Sequence, residues 1–213
     1  MKIFIVIPAH NEAETIADVI NGAKNYVSDI VVIDDASDDK TESLAKGAGA
    51  QVISLTENVG YDKALDEGFK YAVDSGAEAI LTMDADGQHP STNIPVMISS
   101  IKNKSIDLVI ATRAELPRFS EVLFSYMSRF LYSIKDITCG MKCYKSKLYN
   151  QYGFISDYSS IGTWLSLKSI RNGASYITIP IKNEQRKGES RFGITLKAEF
   201  SILKSLVHSI FIN

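Results

Sequence analysis

The run Ile3–Ile7 is apolar at every position, and in the following Glu12–Tyr26 the residues Ile16, Val19, Ile20 and Ala23 recur at helical spacing. This alternation repeats along the first hundred residues. Strands are predicted at Ile30–Ile33, Gln51–Leu55, Ala79–Met83 and Asp107–Thr112. Helices are predicted at Asp38–Gly49, with Ser37 or Asp38 as N-cap, at Tyr61–Ser75 and at Ser91–Lys102. Strands that are apolar throughout must be buried on both faces, which points to a parallel sheet covered by helices on two sides. The first half therefore reads as a doubly wound α/β unit.

The second half is less regular. A helix is predicted over Arg118–Ile134, with a wide apolar stripe formed by Val122, Leu123, Tyr126, Met127, Phe130 and Leu131. A strand at Cys139–Tyr144, a helix at Thr163–Asn172 and a strand at Ser175–Ile181 follow. Asn183–Gly193 reads as a polar loop, and Ile194–Ile212 as an amphipathic helix. No repeat or linker divides the chain. One α/β domain is expected over residues 1–213, with a mostly parallel central sheet flanked by helices and a C-terminal amphipathic helix.

Composition narrows the class. With 213 residues, 45% hydrophobic and 23% charged, the chain can bury a core, which excludes collagenous and disordered readings. No run approaches the roughly 20 apolar residues of a membrane span. The first strand runs into Pro8 without a small-residue cleavage site, so it is not read as a signal peptide. Cys139 and Cys143 suit a reducing compartment, and a cytoplasmic placement is expected. Charge is uneven: residues 1–106 carry 8 Lys and Arg against 17 Asp and Glu, whereas residues 107–213 carry 15 against 8. An acidic half suits a cation and a basic half an anionic ligand or membrane surface; chance and solvated helix faces are the plainer explanation.

In open α/β sheets ligands bind beyond the carboxyl ends of the strands. Those ends carry Pro8-Ala9-His10-Asn11-Glu12, then Asp34-Asp35-Ala36-Ser37-Asp38-Asp39, then Asp84-Ala85-Asp86-Gly87-Gln88-His89-Pro90, then Thr112-Arg113. Asp34, Asp35, Asp84 and Asp86 would repel one another unless a cation or a set of donors neutralised them. Hard oxygen ligands suit Mg²⁺ or Mn²⁺ carrying phosphates. Asp84 and Asp86 flank Ala85, so in an extended segment both side chains point one way and address a single metal–diphosphate unit, with Gln88 as a third oxygen ligand. Neither Gly-x-Gly-x-x-Gly after the first strand nor a P-loop lysine is present, which argues against a dinucleotide or a P-loop nucleotide. No nucleic-acid partner is expected.

The segments Ile7–Glu12, Val32–Asp39, Asn58-Val59-Gly60 and Met83–Pro90 resemble those of glycosyltransferase family 2. Gln88-His89-Pro90, Asp136–Lys142 and Arg186–Arg191 resemble, within it, the dolichyl- and polyprenyl-phosphate sugar synthases of the dolichol-phosphate mannose synthase type. The resemblance implies a GT-A fold and an inverting, metal-dependent transfer of a hexose from a nucleotide diphosphate sugar, GDP-mannose or a UDP-hexose, to a polyprenyl phosphate. The alternatives are a hydroxyl of a surface glycan as acceptor, or a catalytically degenerate scaffold.

By the same resemblance Pro8, His10, Glu12, Ile33, Asp35, Asp84, Ala85, Asp86, Arg186 and Arg191 surround the nucleotide sugar, and Asp86, Arg113, Asp136 and Arg186 form the catalytic set. Residues 1–113 would be the nucleotide-sugar half and residues 114–213 the acceptor half. A phosphate acceptor is already anionic and needs holding more than deprotonation, for which Arg113 and Arg118 are the candidates. A hydroxyl acceptor needs a base, and Asp136 is then best placed by motif.

Several residues have plainer readings. Asp34 is expected to serve structure, and Asp38 and Asp39 a helix start; Cys139, Cys143 and Trp164 are expected in the core and His208 partly buried. The apolar stripes of Arg118–Ile134 and Ile194–Ile212 are expected to pack in the core. Their alternative is an interfacial role, a peripheral contact with the cytoplasmic leaflet in which Lys197 and Lys204 meet anionic lipid. A homodimer is compatible with the sequence.

Overall fold

The apolar runs become the central strands of a seven-stranded sheet in a computed structural model, which describes residues 1–116, 118–156, 160–182 and 196–210. The strands are β1 (Ile3–Ala9), β2 (Asp29–Asp34), β3 (Gln51–Ser54), β4 (Ala79–Thr82), β5 (Leu108–Arg113), β6 (Lys142–Lys145) and β7 (Tyr176–Ile181), in the order β3-β2-β1-β4-β6-β5-β7. All neighbours pair in parallel except β6, which runs antiparallel to both β4 and β5. The helices are α1 (Ile16–Lys24), α2 (Thr41–Gly47), α3 (Tyr61–Asp74), α4 (Ile94–Ile101), α5 (Phe119–Tyr132), α6 (Ser146–Tyr152), α7 (Trp164–Arg171) and α8 (Leu196–Ile210).

The pleat of β1 divides the core in two. Ile3, Ile5, Ile7 and Ala9 pack with α1 and α4 on one face, while Phe4 and Val6 pack with α3 and the buried side of α5 on the other. Helix α3 comes so close to the sheet that a Cβ on Gly68 would overlap the Val6 side chain. Glycine there sets the layer spacing, and with it the position of the helix start at Tyr61.

Some expectations fail for local reasons. Helix α2 starts at Thr41, not at Asp38, because Ser37 donates its hydroxyl to Asp34 and Asp39 accepts the Thr41 amide instead (2.9 Å). The strand predicted at Cys139–Tyr144 is shorter and reversed, and α6 was not foreseen. The segment Asn183–Gly193, with Arg186, Lys187 and Arg191, lies outside the described residues. Core packing holds for only one side of α5 and α8: Phe124, Ile202 and Leu206 are buried, but Phe119, Tyr126, Phe130 and Phe200 are exposed. His208, expected to be partly buried, is exposed. No helix among the described residues is long and apolar enough to cross a membrane.

Candidate active site

The sheet order sets the carboxyl ends of β2, β1 and β4 side by side, so the three acidic segments do meet at one edge. They do not all remain available there. Asp34 accepts from Ser37, whose hydroxyl also accepts the Asn11 amide (2.7 Å). Both Asp35 oxygens accept backbone amides, from Val59 at 2.7 Å and Gly60 at 2.9 Å. Asp35 therefore ties the Asn58-Val59-Gly60 loop to β2, and each of its oxygens keeps a further lone pair. His10 lies beside it, with Nδ1 2.7 Å from the Asp35 carbonyl. Glu12 is half-buried and its amide donates to Thr41. Pro8 and Ile33 are register partners in the sheet. Ile33 is fully buried and borders Gly68, so its side chain serves the core instead of facing the site.

Asp84 follows β4 and is half-buried, whereas Asp86 is buried. The intervening segment is a turn, not the extended stretch expected from strand alternation. The Asp86 carboxylate accepts the Gln88 amide (3.0 Å), Gly87 has φ +76°, and the Ala85 carbonyl accepts from Thr15 (2.7 Å). Gln88 is half-buried beside them. Both carboxylates still act on one group, the buried His89 imidazole. Burial alone would lower its pKa, but Asp84, the Cys139 thiol and Asp86 together hold it up at about 9.

Three residues not singled out from the sequence complete this edge. Tyr61 donates its hydroxyl to Asp84 (3.1 Å), and burial together with the Asp84 charge keeps that phenol protonated. His89 Nδ1 lies 3.2 Å from the Asp84 amide and Nε2 3.7 Å from its carboxylate. Gly140 abuts the same carboxylate so closely that any Cβ would displace it. Gly140 lies within Asp136–Lys142, His89 within Met83–Pro90, and Tyr61 follows Asn58-Val59-Gly60 directly, so adjacency to the motifs is the signal the sequence offers.

The opposite edge is built on arginine. Arg113, the last residue of β5, donates Nε to Asp136 Oδ2 (2.7 Å) and Nη2 to Asp136 Oδ1 (3.1 Å) and to Thr138 (2.8 Å). Its backbone amide also reaches Asp136 (3.0 Å). Burial alone would raise the Asp136 pKa, but these donors hold the carboxyl below its usual range. Buried Glu121 lies 3.6 Å from Arg113 Nη2 and accepts Arg118 Nη1 at 3.0 Å, so it sits between the two guanidinium groups. Nη1 of Arg113 bonds to nothing among the described residues.

Between the two edges lies Lys142, fully buried on β6, whose Nζ donates to the Gly162 carbonyl (3.0 Å). Asp62 accepts the amides of Ser160, Ile161 and Gly162, and a Cβ on Gly162 would approach the Tyr61 ring. Lys142 and Asp62 thus fix the segment that backs Tyr61.

The donor chemistry distinguishes two kinds of metal site. Among the described residues no group of three or more His, Cys, Asp and Glu side chains is gathered closely enough to hold an ion alone. Two carboxylates at the mouth of a strand, supplemented by phosphate oxygens and water, are what Mg²⁺ or Mn²⁺ accepts when shared with a ligand. Asp84 and Asp86 fit an ion of that kind.

Residues 4–118 match the family model described as Glycosyl transferase family 2. An undecaprenyl-phosphate mannosyltransferase of Micrococcus luteus is 26% identical over 90% of this chain and 87% of its own length. A dolichol-phosphate mannosyltransferase of Pyrococcus furiosus is 36% identical over 53% of this chain, a match that spans only 33% of that relative. Among solved structures, glucosyl-3-phosphoglycerate synthase from Mycobacterium tuberculosis in complex with Mn²⁺, uridine diphosphate and glucosyl-3-phosphoglycerate superposes with a TM-score of 0.81. It covers 99% of this chain and 78% of that one at 17% identity, a likeness of fold.

Proposed function

Because the chain belongs to glycosyl transferase family 2, we propose that it transfers a hexose from a nucleotide diphosphate sugar to a polyprenyl phosphate, with inversion at the anomeric carbon. The observation that carries the choice of acceptor is the state of Asp136. Its carboxylate accepts four hydrogen bonds at 2.7–3.1 Å, and Arg113 holds its pKa down. It is poorly suited to take a proton from a sugar hydroxyl. An acceptor that arrives as an anion needs no such base, and Arg113 Nη1 with Arg118 offers it N–H donors already oriented by Asp136 and Glu121.

In this reading Pro8, His10, Glu12 and Asp35 border the nucleoside, and Asp84, Asp86 and Gln88 hold a divalent ion with the diphosphate. The ion, when bound, stabilises charge on the departing nucleoside diphosphate as a Lewis acid. Tyr61, His89 and Gly140 fix the Asp84 carboxylate by donation, charge and contact. The acceptor phosphate oxygen forms the bond to the anomeric carbon as the bond to the diphosphate oxygen breaks, so no proton has to move. Arg186 and Arg191 would add positive charge at the leaving group. The names of the Micrococcus and Pyrococcus relatives support the polyprenyl acceptor, and the Mn²⁺ and uridine diphosphate of the mycobacterial structure support the donor side.

Calorimetric titration with GDP and with UDP, each with and without Mn²⁺, tests the donor site; metal-dependent binding of one of them is expected. Transfer of labelled hexose to a short, water-soluble prenyl phosphate tests the acceptor. Binding without transfer, together with transfer to a glycan hydroxyl, would replace the acceptor; no binding of either nucleotide by the folded protein would leave a scaffold.

A further inference from the structure

Glu121, the only acid in α5, is 5% exposed and points into the basic edge between Arg113 and Arg118. Its two oxygens are in different states. Oε1 accepts Arg118 Nη1 at 3.0 Å, whereas Oε2 is buried and accepts no hydrogen bond among the described residues. Arg113 Nη2 lies 3.6 Å from Oε2, but its hydrogen bonds go to Asp136 and Thr138. A buried carboxylate oxygen without a donor opposes folding, so its presence asks for a reason in function.

Holding Arg113 is not that reason, because Asp136 already grips that guanidinium at 2.7 and 3.1 Å. Arg118 has one hydrogen bond among the described residues, the one to Glu121 Oε1, and its side chain is 22% exposed. The charges in contact here are Arg113 and Arg118 against Asp136 and Glu121, which sum to zero. An arriving anion therefore finds free N–H donors but no surplus of positive charge. It also meets the field of Glu121 Oε2, which no donor softens, beside the guanidinium whose Nη1 is free.

Such a site limits the charge it accepts. A phosphate monoester carries about two negative charges near neutral pH, and a diphosphate ester about one more. The donors can hold the first, but each further charge is repelled by Glu121 with nothing left to neutralise it.

We propose that Glu121 is a specificity-determining residue of the acceptor site, admitting a prenyl monophosphate and rejecting the corresponding diphosphate by charge. This inference rests on the polyprenyl-phosphate reading, since it assigns the arginine pair to the acceptor. It adds a repulsive element that excludes the more highly charged lipid.

The test is calorimetric titration of the parent protein and Glu121→Gln with a short, water-soluble prenyl phosphate and with its diphosphate. Chelator is present throughout, so that no divalent ion draws the diphosphate to Asp84 and Asp86. The parent is expected to bind the monophosphate more tightly. Glutamine keeps the shape of the side chain and an oxygen for Arg118 but removes the charge. In that variant both ligands should bind more tightly, the diphosphate gaining about tenfold more than the monophosphate. Glu121→Asp, which retains the charge, should keep the parent's preference. Equal gains for the two ligands, or weaker binding of both by Glu121→Gln, overturns the proposal, because Glu121 would then only hold Arg118. A preference lost in Glu121→Asp overturns it as well. A parent protein that binds the diphosphate as tightly as the monophosphate overturns the proposal and leaves the polyprenyl-phosphate reading in place, whereas one that binds neither overturns both.

Discussion

The two edges of the site treat charge in opposite ways. On the acidic edge two carboxylates, Asp84 and Asp86, share one imidazole, His89, whose pKa they raise, and no Lys or Arg among the described residues lies within salt-bridge distance of Asp84, so the charges cancel only in part. On the basic edge Arg113 is matched by Asp136 and Glu121 inside the protein. Where charges cancel internally, the residues are fixed in place and contribute to folding. Where they do not cancel, the imbalance costs stability and leaves room for a ligand that restores it. The same residue types thus do different work according to whether their counter-charge belongs to the chain.

The sharpest way to break this contrast is Asp84→Asn. The change keeps the shape of the side chain and removes the charge meant for the metal–diphosphate. Hexose transfer should fall by about 10³-fold, the scale of losing a principal electrostatic stabiliser, and metal-dependent nucleotide binding should disappear with it. The thermal midpoint should change little, because relief of repulsion with Asp86 is set against loss of the attraction to His89. Turnover close to the parent would place the reacting groups elsewhere.

On the basic edge the order of effects reverses. Arg113→Ala leaves Asp136 buried and without its cation, a change that costs about 3–5 kcal/mol when one partner of a buried pair is removed. Urea denaturation should read that loss directly. Arg113→Lys keeps the charge and gives up the fork that grips Asp136 at two points. It should raise the KM for the prenyl phosphate while leaving the KM for the nucleotide sugar unchanged. A rise in the donor KM instead would assign Arg113 to the diphosphate.

These contrasts also mark what was legible beforehand. The parallel frame from β1 to β4 was, because Ile3–Ile7 and Ile30–Ile33 are apolar without alternation and only burial on both faces explains that. The direction of β6 was not: Lys142–Lys145 is four residues long, and hydrophobicity carries no sign of orientation. Asp84 and Asp86 stand out in the sequence as a pair, but alternation implies an extended backbone between them, whereas Asp86-Gly87 is itself a turn signal. Arg113 and Asp136 were both picked, for separate tasks. Their hydrogen bonds join residues 23 apart in sequence, and only the tertiary structure reveals that the candidate base is the arginine's holder. The aromatic row of α5 was seen as a stripe, but periodicity alone does not tell which side of a helix the domain covers.

A smaller effect separates contact from charge on the acidic edge. Gly140→Ala adds one methyl group against the Asp84 carboxylate and leaves every charge in place. Displacing a metal-directed carboxylate through its neighbour should weaken Mn²⁺-dependent nucleotide binding by about 10-fold, at the lower end of what altered supporting residues cost. Metal-independent features, including the thermal midpoint within about 1 kcal/mol in stability terms, should change little. Unchanged affinity would show that Asp84 can shift freely, and that Tyr61 and His89 do not fix it.

The mildest test uses acid instead of a new contact. The folded-state pKa of Asp136 lies below its unfolded value, so its pairing stabilises the fold fully above the ordinary carboxylate pKa of about 3.9 and is lost as pH falls through the folded value. Asp62 is shifted the other way, by burial that its amide partners do not offset, so its contribution is present below about pH 3.9 and is lost as pH rises through its folded value. The urea midpoint of the parent protein should therefore gain from Asp62 as pH falls toward about 4 and lose from Asp136 as pH falls below it. In Asp136→Asn the whole curve should lie lower and the limb below about pH 4 should flatten, whereas in Asp62→Asn that limb should stay and the gain on approaching pH 4 from above should vanish. Parallel curves for all three proteins would mean that neither carboxyl titrates differently in the folded state, and the internal matching assigned to the basic edge would lose its energetic support.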